Sequence, residues 1–170
     1  PIRTAIACCL AGVLLWSGCS SVQKPIGPSV VVARVVSGQT VEILSSDRSY
    51  TVQVRLAGIS APDLKQLPWG LQAKQILEDW LLQQSVTLEI SHKDIYNRQV
   101  AYIWHRNRLI NEALLAEGYA MANPDVGAGH VQTLAHAQHQ ARLLGLGIWN
   151  PAAPMVQTPV EFRQQSPASS

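Results

Sequence analysis

The apolar pattern over the first half of the chain's central region is β-like, with a period of two in its second and third runs. SVVVARVVS (29–37) is a valine-rich run bounded by Pro28 and Gly38, and TVEIL (40–44) opposes Val41 and Ile43 to Glu42. A polar turn cluster at 45–49 follows, and YTVQVRL (50–56) alternates again, so the three runs predict a β-meander. The period changes in PWGLQAKQILEDWLLQQ (68–84). There Leu71, Gln75 or Ile76, Leu77, Trp80, Leu81 and Gln84 fall near i, i+3, i+4 spacing, which predicts an amphipathic helix with Pro68 close to its first position. VTLEI (86–90) and QVAYIW (99–104) predict two more strands, joined by SHKDIYNR. LINEALLAEG (109–118) predicts a short helix stopped by Gly118, and a third helix over 131–144 ends at the glycines of LLGLGIW.

Five short strands with one helix between the third and fourth predict a mainly β, α+β domain: a five-stranded OB-fold barrel with three α-helices. Composition sets its limits. The chain has 170 residues, enough for one domain with extensions. A formal net charge of +2 excludes a strongly basic nucleic-acid coat, so anion binding must come from a few placed cations. All three cysteines, Cys8, Cys9 and Cys19, precede residue 20, which leaves the folded part without a disulfide or thiolate metal site.

That cysteine-bearing segment reads as an address. Arg3 supplies a positive start, residues 4–16 form an apolar run too brief for a permanent membrane span, and Ser17-Gly18 directly precede Cys19. LLWSGCSS resembles the lipobox of bacterial lipoproteins, although Trp16 stands where that motif usually has Leu. The resemblance implies acylation of Cys19 as the mature N-terminus, export, and lipid anchoring at the cell envelope. Residues 20–28 form a polar tether, the folded domain is expected at 29–150, and the Pro-, Gln- and Ser-rich stretch 151–170 is expected to lack order.

The ordered series VVARVVSGQTVEIL, TVQVRLAGISAPD, PWGLQAKQIL, VTLEI, DIYNRQVAYIW, LINEALLAEGYA and GLGIW resembles the staphylococcal nuclease family across essentially all of 29–150. The resemblance implies a five-stranded OB barrel and a calcium-dependent phosphodiesterase acting on DNA and RNA. Arg55 in VRLAG and Arg98 in YNRQV match the family's two phosphate-neutralising arginines, whose forked donors suit phosphate oxygens. Asp63 matches the catalytic Glu, one methylene shorter, and Tyr96 is placed to hydrogen-bond a phosphate.

The metal positions depart from that pattern. The family's D-G-D-T turn is Ser37-Gly38-Gln39-Thr40 here, so Gln39 stands at a calcium ligand. Ser60 replaces the second ligating Asp, and Ala61 retains only the backbone carbonyl used beside it. Calcium wants about 6–8 oxygens, several of them charged. Two lost carboxylates predict that Ca²⁺ is bound weakly or not at all and that hydrolysis is weak or absent. Ile95 stands where the family often has Lys, and Met121 and Asn123 stand where base-stacking aromatics often lie.

Simpler roles compete with these. Arg98 can pair with Asp94 across its turn, Asp63 can cap the turn after Pro62, and Arg106 and Arg108 can flank a solvated hairpin tip. His136 and His139, spaced i, i+3 beside His130, suit a polar helix face better than a metal pair, and Trp69, Trp80, Trp104 and Trp149 suit core or groove positions. Two readings follow: an exported, membrane-anchored phosphodiesterase with a weakened site, or a non-hydrolytic barrel used as a binding or scaffold module. In either case nucleic acid is expected to bind weakly and salt-sensitively.

Overall fold

The first strand shows how pattern becomes barrel. The computed structural model describes residues 26–45, 49–127 and 129–165. In β1 (Ser29–Ser37) the buried residues are Val32 and Val35, three apart rather than two. Bulges between Val32 and Arg34 and between Val35 and Ser37 absorb the offset against β2 (Thr40–Leu44) and bend the strand. β3 (Thr51–Leu56) continues the antiparallel meander, with Val41 opposite Val54 and Ile43 opposite Val52. A two-residue β4 (Ile59–Ser60) follows.

Helix α1 (Trp69–Leu81) buries Gly70, Ala73, Leu77 and Leu81 on one face. It stops three residues before the predicted end at Gln84. Gln83 takes a positive φ of 60°, and its N–H turns to the Val32 carbonyl at 2.9 Å while Val32 donates to Gln84 at 3.0 Å. Pairing with β1 therefore wins over another helical turn. β5 (Ser85–Lys93) lies antiparallel to both β1 and β6 (Gln99–His105). β6 in turn runs parallel to β3, setting Arg55 beside Val100 and Leu56 beside Ala101. That pairing closes a five-stranded barrel in the order β3-β2-β1-β5-β6, as the strand pattern predicts.

β7 (Arg108–Leu109) and α2 (Ile110–Ala116) follow the Arg106-Asn107 turn. Arg108 stacks on Trp80 at 4.6 Å and pairs with Glu117, so this arginine is engaged rather than merely solvated. β8 (Met121–Ala122) pairs with β4. α3 (Val131–Leu144) has the expected bounds; it ends at Gly145, whose φ of +64° is the left-handed cap glycine supplies without strain. A 3₁₀ turn (Gly147–Trp149) leads into the C-terminal segment.

There the expectation from composition fails. Pro159–Gln165 is a fourth α-helix, α4, not an unstructured stretch. The reason is local and chemical: the Thr158 hydroxyl accepts the Glu161 N–H, and the Glu161 carboxylate accepts the Thr158 N–H and hydroxyl. This is a capping box with proline at the first helical position. Among the described residues the ordered unit thus runs past Asn150, and four α-helices rather than three surround the barrel. Residues 1–25, which carry the predicted leader, Cys19 and most of the tether, lie outside the described residues. No helix among those described is long and apolar enough to cross a membrane.

Candidate functional site

Small residues bring the candidate positions together. Gly38 sits in the β1–β2 turn, where a Cβ would lie 2.6 Å from the Ala73 Cβ and 3.0 Å from the Ala61 Cβ. The turn therefore presses against α1 and the 57–61 loop, and Gln39 reaches across to accept the Ala61 N–H at 2.8 Å through Oε1. The Gln39 carbonyl also accepts the Leu56 N–H at 2.9 Å. Gly70 permits a second close approach: a Cβ there would lie 1.9 Å from the Asp63 carbonyl oxygen. Asn111, fully buried and not singled out from the sequence, holds the loop from behind. It donates to Ala57 O at 2.8 Å and accepts from Ile103 N–H at 2.9 Å.

Arg55 is the central cation. Its neighbour on the same face, Gln53, is exposed, whereas Arg55 is only 7% exposed. Nη2 donates to the Ile59 carbonyl at 3.0 Å, and Nη1 is buried with no hydrogen-bond partner. Burial lowers the guanidinium from its ordinary value to about 10, aided by repulsion from Arg163 and Arg98 and opposed by Asp94. A buried donor without a protein partner is costly, which sets Nη1 apart from the other donors here.

Arg98 projects from the turn before β6, beside the strand end that carries Arg55. Its Nε and Nη2 both lie 2.7 Å from Asp94 Oδ2, and its guanidinium stands 5.2 Å from the Tyr96 ring centre. Asp94 also accepts the Tyr96 and Arg98 backbone N–H groups at 3.0 Å. Burial pushes this carboxyl up, but those hydrogen bonds outweigh it and hold it below the ordinary range. The local pairing weighed from sequence is therefore real, and the Arg98 side chain remains 26% exposed. Tyr96 is 72% exposed beside it.

The predicted metal positions also converge, but on a different occupant. From α4, Arg163 donates Nη1 to the Ala61 carbonyl at 3.2 Å and Nη2 to the Ser60 hydroxyl. Burial lowers the Arg163 guanidinium and Asp63 raises it. Asp63 itself accepts the Lys65 N–H at 2.9 Å, the turn cap weighed from sequence. Gln39, Ser60 and Ala61 thus each accept an N–H or guanidinium donor, and the Asp63 carboxylate acts on Arg163 beside them. Among the described residues no group of three or more His, Cys, Asp or Glu is placed to hold a metal. His136 and His139 are exposed on α3, while His130 lies 3.0 Å from both Glu89 carboxylate oxygens, away from the arginines.

The resemblance named Arg55, Arg98, Asp63, Gln39, Ser60 and Ala61, and in the structure these border one region. It missed Arg163 and Gln66. Gln66, 5% exposed, accepts the Asp63 N–H at 3.2 Å and donates to Gln157 O at 2.7 Å, joining the loop to the segment that enters α4. The signal for α4 was present as Thr158-Pro159-Val160-Glu161.

The candidate site thus sits on a closed five-stranded OB barrel, with arginines gathered at one end of its β3–β6 seam. The family model described as staphylococcal nuclease homologue matches residues 53–151. An "Uncharacterized endonuclease" of Haemophilus influenzae is 30% identical over 134 residues, covering 79% of this chain and 72% of that protein. The "Thermonuclease" of Staphylococcus intermedius is 32% identical over 132 residues, with 72% and 77% covered, and that of Staphylococcus hyicus is 30% identical over 129 residues, with 70% and 74% covered. The chain belongs to the staphylococcal nuclease family.

Proposed function

We propose that this chain binds nucleic-acid phosphates through Arg55 and Arg98 and hydrolyses phosphodiesters weakly or not at all. Relatives named thermonuclease and endonuclease support nucleic acid as the ligand class. The observation that carries the low-activity part is the seat of Arg163 on Ser60 and Ala61, two of the positions where the resemblance places calcium ligands. A cation already stands there, and Gln39 Oε1 is engaged with Ala61 N–H. The donor set does not fit a hard divalent ion, which needs several charged oxygens free to converge. Asp63, facing Arg163 and held by Lys65 N–H, acts in this reading as a local counter-charge rather than as a base. Tyr96 adds an exposed hydroxyl beside Arg98.

The lipobox-like LLWSGCSS extends the proposal to location: an exported protein held at the bacterial envelope through lipidated Cys19, with residues 20–28 as tether. Mass spectrometry of the mature N-terminus tests that part; an unmodified residue other than Cys19 would refute it. The nuclease part is tested by cleavage of single-stranded DNA and RNA by the mature chain, with added calcium and with a chelator. The expected result is marginal cutting that the chelator does not change. Robust calcium-dependent cutting would overturn the reading in favour of an active nuclease.

A further inference from the structure

We propose that α4 gives this barrel a tethered cation, so that Arg163 joins Arg55 and Arg98 in a phosphate-binding site that needs no divalent metal. The inference rests on the phosphate-gripping reading above and adds to it a third side chain and independence from metal.

The placement of Arg163 is built, not incidental. A seven-residue helix has little stability alone, because nucleation is costly and few turns repay it. α4 is therefore held from outside. Its capping box closes the first turn, Pro159 is buried, and Gln66 ties Gln157 to the backbone of Asp63. Phe162 lines a cleft with Leu67, Trp69 and Met155 on the adjoining side. One buried glutamine thus links the loop that carries Ser60 and Ala61 to the segment that delivers Arg163.

The chemistry of the cluster then points outward. A guanidinium carries five N–H donors in a fixed fork, and Arg163 spends one on Ala61 O and one on Ser60 Oγ. The rest remain for a ligand. Arg98 is paired with Asp94, and Asp63 acts on Arg163, but Arg55 makes no ion pair among the described residues, feels Asp94 only beyond ion-pair range, and carries the orphaned Nη1. Both other arginines act on Arg55 by repulsion, so the three positive groups converge on one region. An anion there relieves the repulsion and satisfies Nη1 together. Tetrahedral phosphate oxygens match forked donors arriving from several directions. A guanidinium supplies charge but no coordination position for water, so this arrangement favours holding a phosphate over cutting it.

The test is calorimetric titration of the full chain, in chelator, with two probes: inorganic phosphate and a short single-stranded oligothymidylate. The wild type is expected to bind both, with affinity unchanged when calcium replaces the chelator. Arg163→Ala is expected to weaken both at least tenfold, and Arg163→Lys to recover part of that loss, because charge returns without the fork. Binding of phosphate alone assigns the site to small phosphates; binding of both assigns it to nucleic-acid backbone as well, and either supports the site. Thermal melting checks that each variant folds. Should Arg163→Ala fail to fold, the paired Thr158→Ala, Glu161→Ala change loosens α4 from outside the site and should weaken phosphate several-fold. Unchanged binding in a folded Arg163→Ala protein, with binding abolished by Arg55→Met, overturns the role of Arg163 and leaves the phosphate-gripping reading intact. No phosphate binding by wild type, or binding only with calcium, overturns the metal-free site.

Discussion

At the scale of single residues, Arg55 is the group whose energetics and purpose pull apart. Its side chain is buried, its Nη1 makes no hydrogen bond, and burial lowers it to about 10. The folded value lies below the ordinary one, so the unfolded chain binds more protons between the two values. This group's contribution to stability therefore rises with pH across that window, and below it the buried charge is a constant cost to the free protein. Anion binding has the opposite sign, since it needs the charge and fades as pH climbs through about 10. Replacing Arg55 by Met removes the buried charge while keeping an unbranched apolar stem. We expect Arg55→Met to raise the melting temperature of the unliganded protein by roughly 2–4 °C, the shift that about 1 kcal/mol produces in a chain of this size, while abolishing phosphate binding. A melting curve beside a phosphate titration checks both; lower stability together with retained binding would remove Arg55 from the centre of the site.

At the scale of elements, the site depends on how closely α1 approaches the loop before it. A methyl group at Gly70 would lie 1.9 Å from the Asp63 carbonyl oxygen, and the atoms in its way are backbone. Gly70→Ala must therefore shift the helix or the loop, and overpacking of this kind costs about 1–3 kcal/mol. The loop holding Ser60, Ala61 and Asp63 would move with it, so denaturant unfolding should show the loss of stability and phosphate titration a matching loss of affinity. Stability near wild type would mean that the approach is looser than the geometry implies. These elements differ in how openly the sequence announces them. β2 and the start of β5 were legible because alternation records the face turned inward. β1, whose bulges set Val32 and Val35 three apart, and β6, which buries Val100 to Ile103 in a row, were legible from their apolar, β-branched runs. α1 was legible except for its end, where pairing of Gln83 and Gln84 with β1 overrides helical periodicity. β4 and β8, two residues each, are too short to carry a period. α4 was hidden by averaging: a Pro- and Gln-rich stretch reads as unstructured in bulk, yet Thr158 and Glu161 alone suffice to start a helix.

At the scale of the whole molecule, one parallel pairing assembles the site. Closing the barrel through β3 and β6 sets Arg55 opposite Val100, which brings the turn bearing Arg98 alongside. The spacing of Arg55 and Arg98 along the chain hints at this only through the resemblance to a known family. Arg163 lies beyond such hints, because it meets Ser60 across 103 positions and through an element the composition conceals. The charge that results is local, since the chain's formal net charge is only +2. That locality can be measured. Each phosphate neutralised on a single strand releases counterions, and log K falls against log salt with a slope of about −0.7 per contact. Three arginines converging on one phosphate predict a slope of only about −0.7 for single-stranded DNA, and Arg163→Ala should lower the affinity while leaving that slope about the same. Oligothymidylate titrations at several sodium chloride concentrations measure both. A slope much steeper than about −0.7 would reveal a wider basic face that reaches phosphates beyond the one held by Arg55, Arg98 and Arg163.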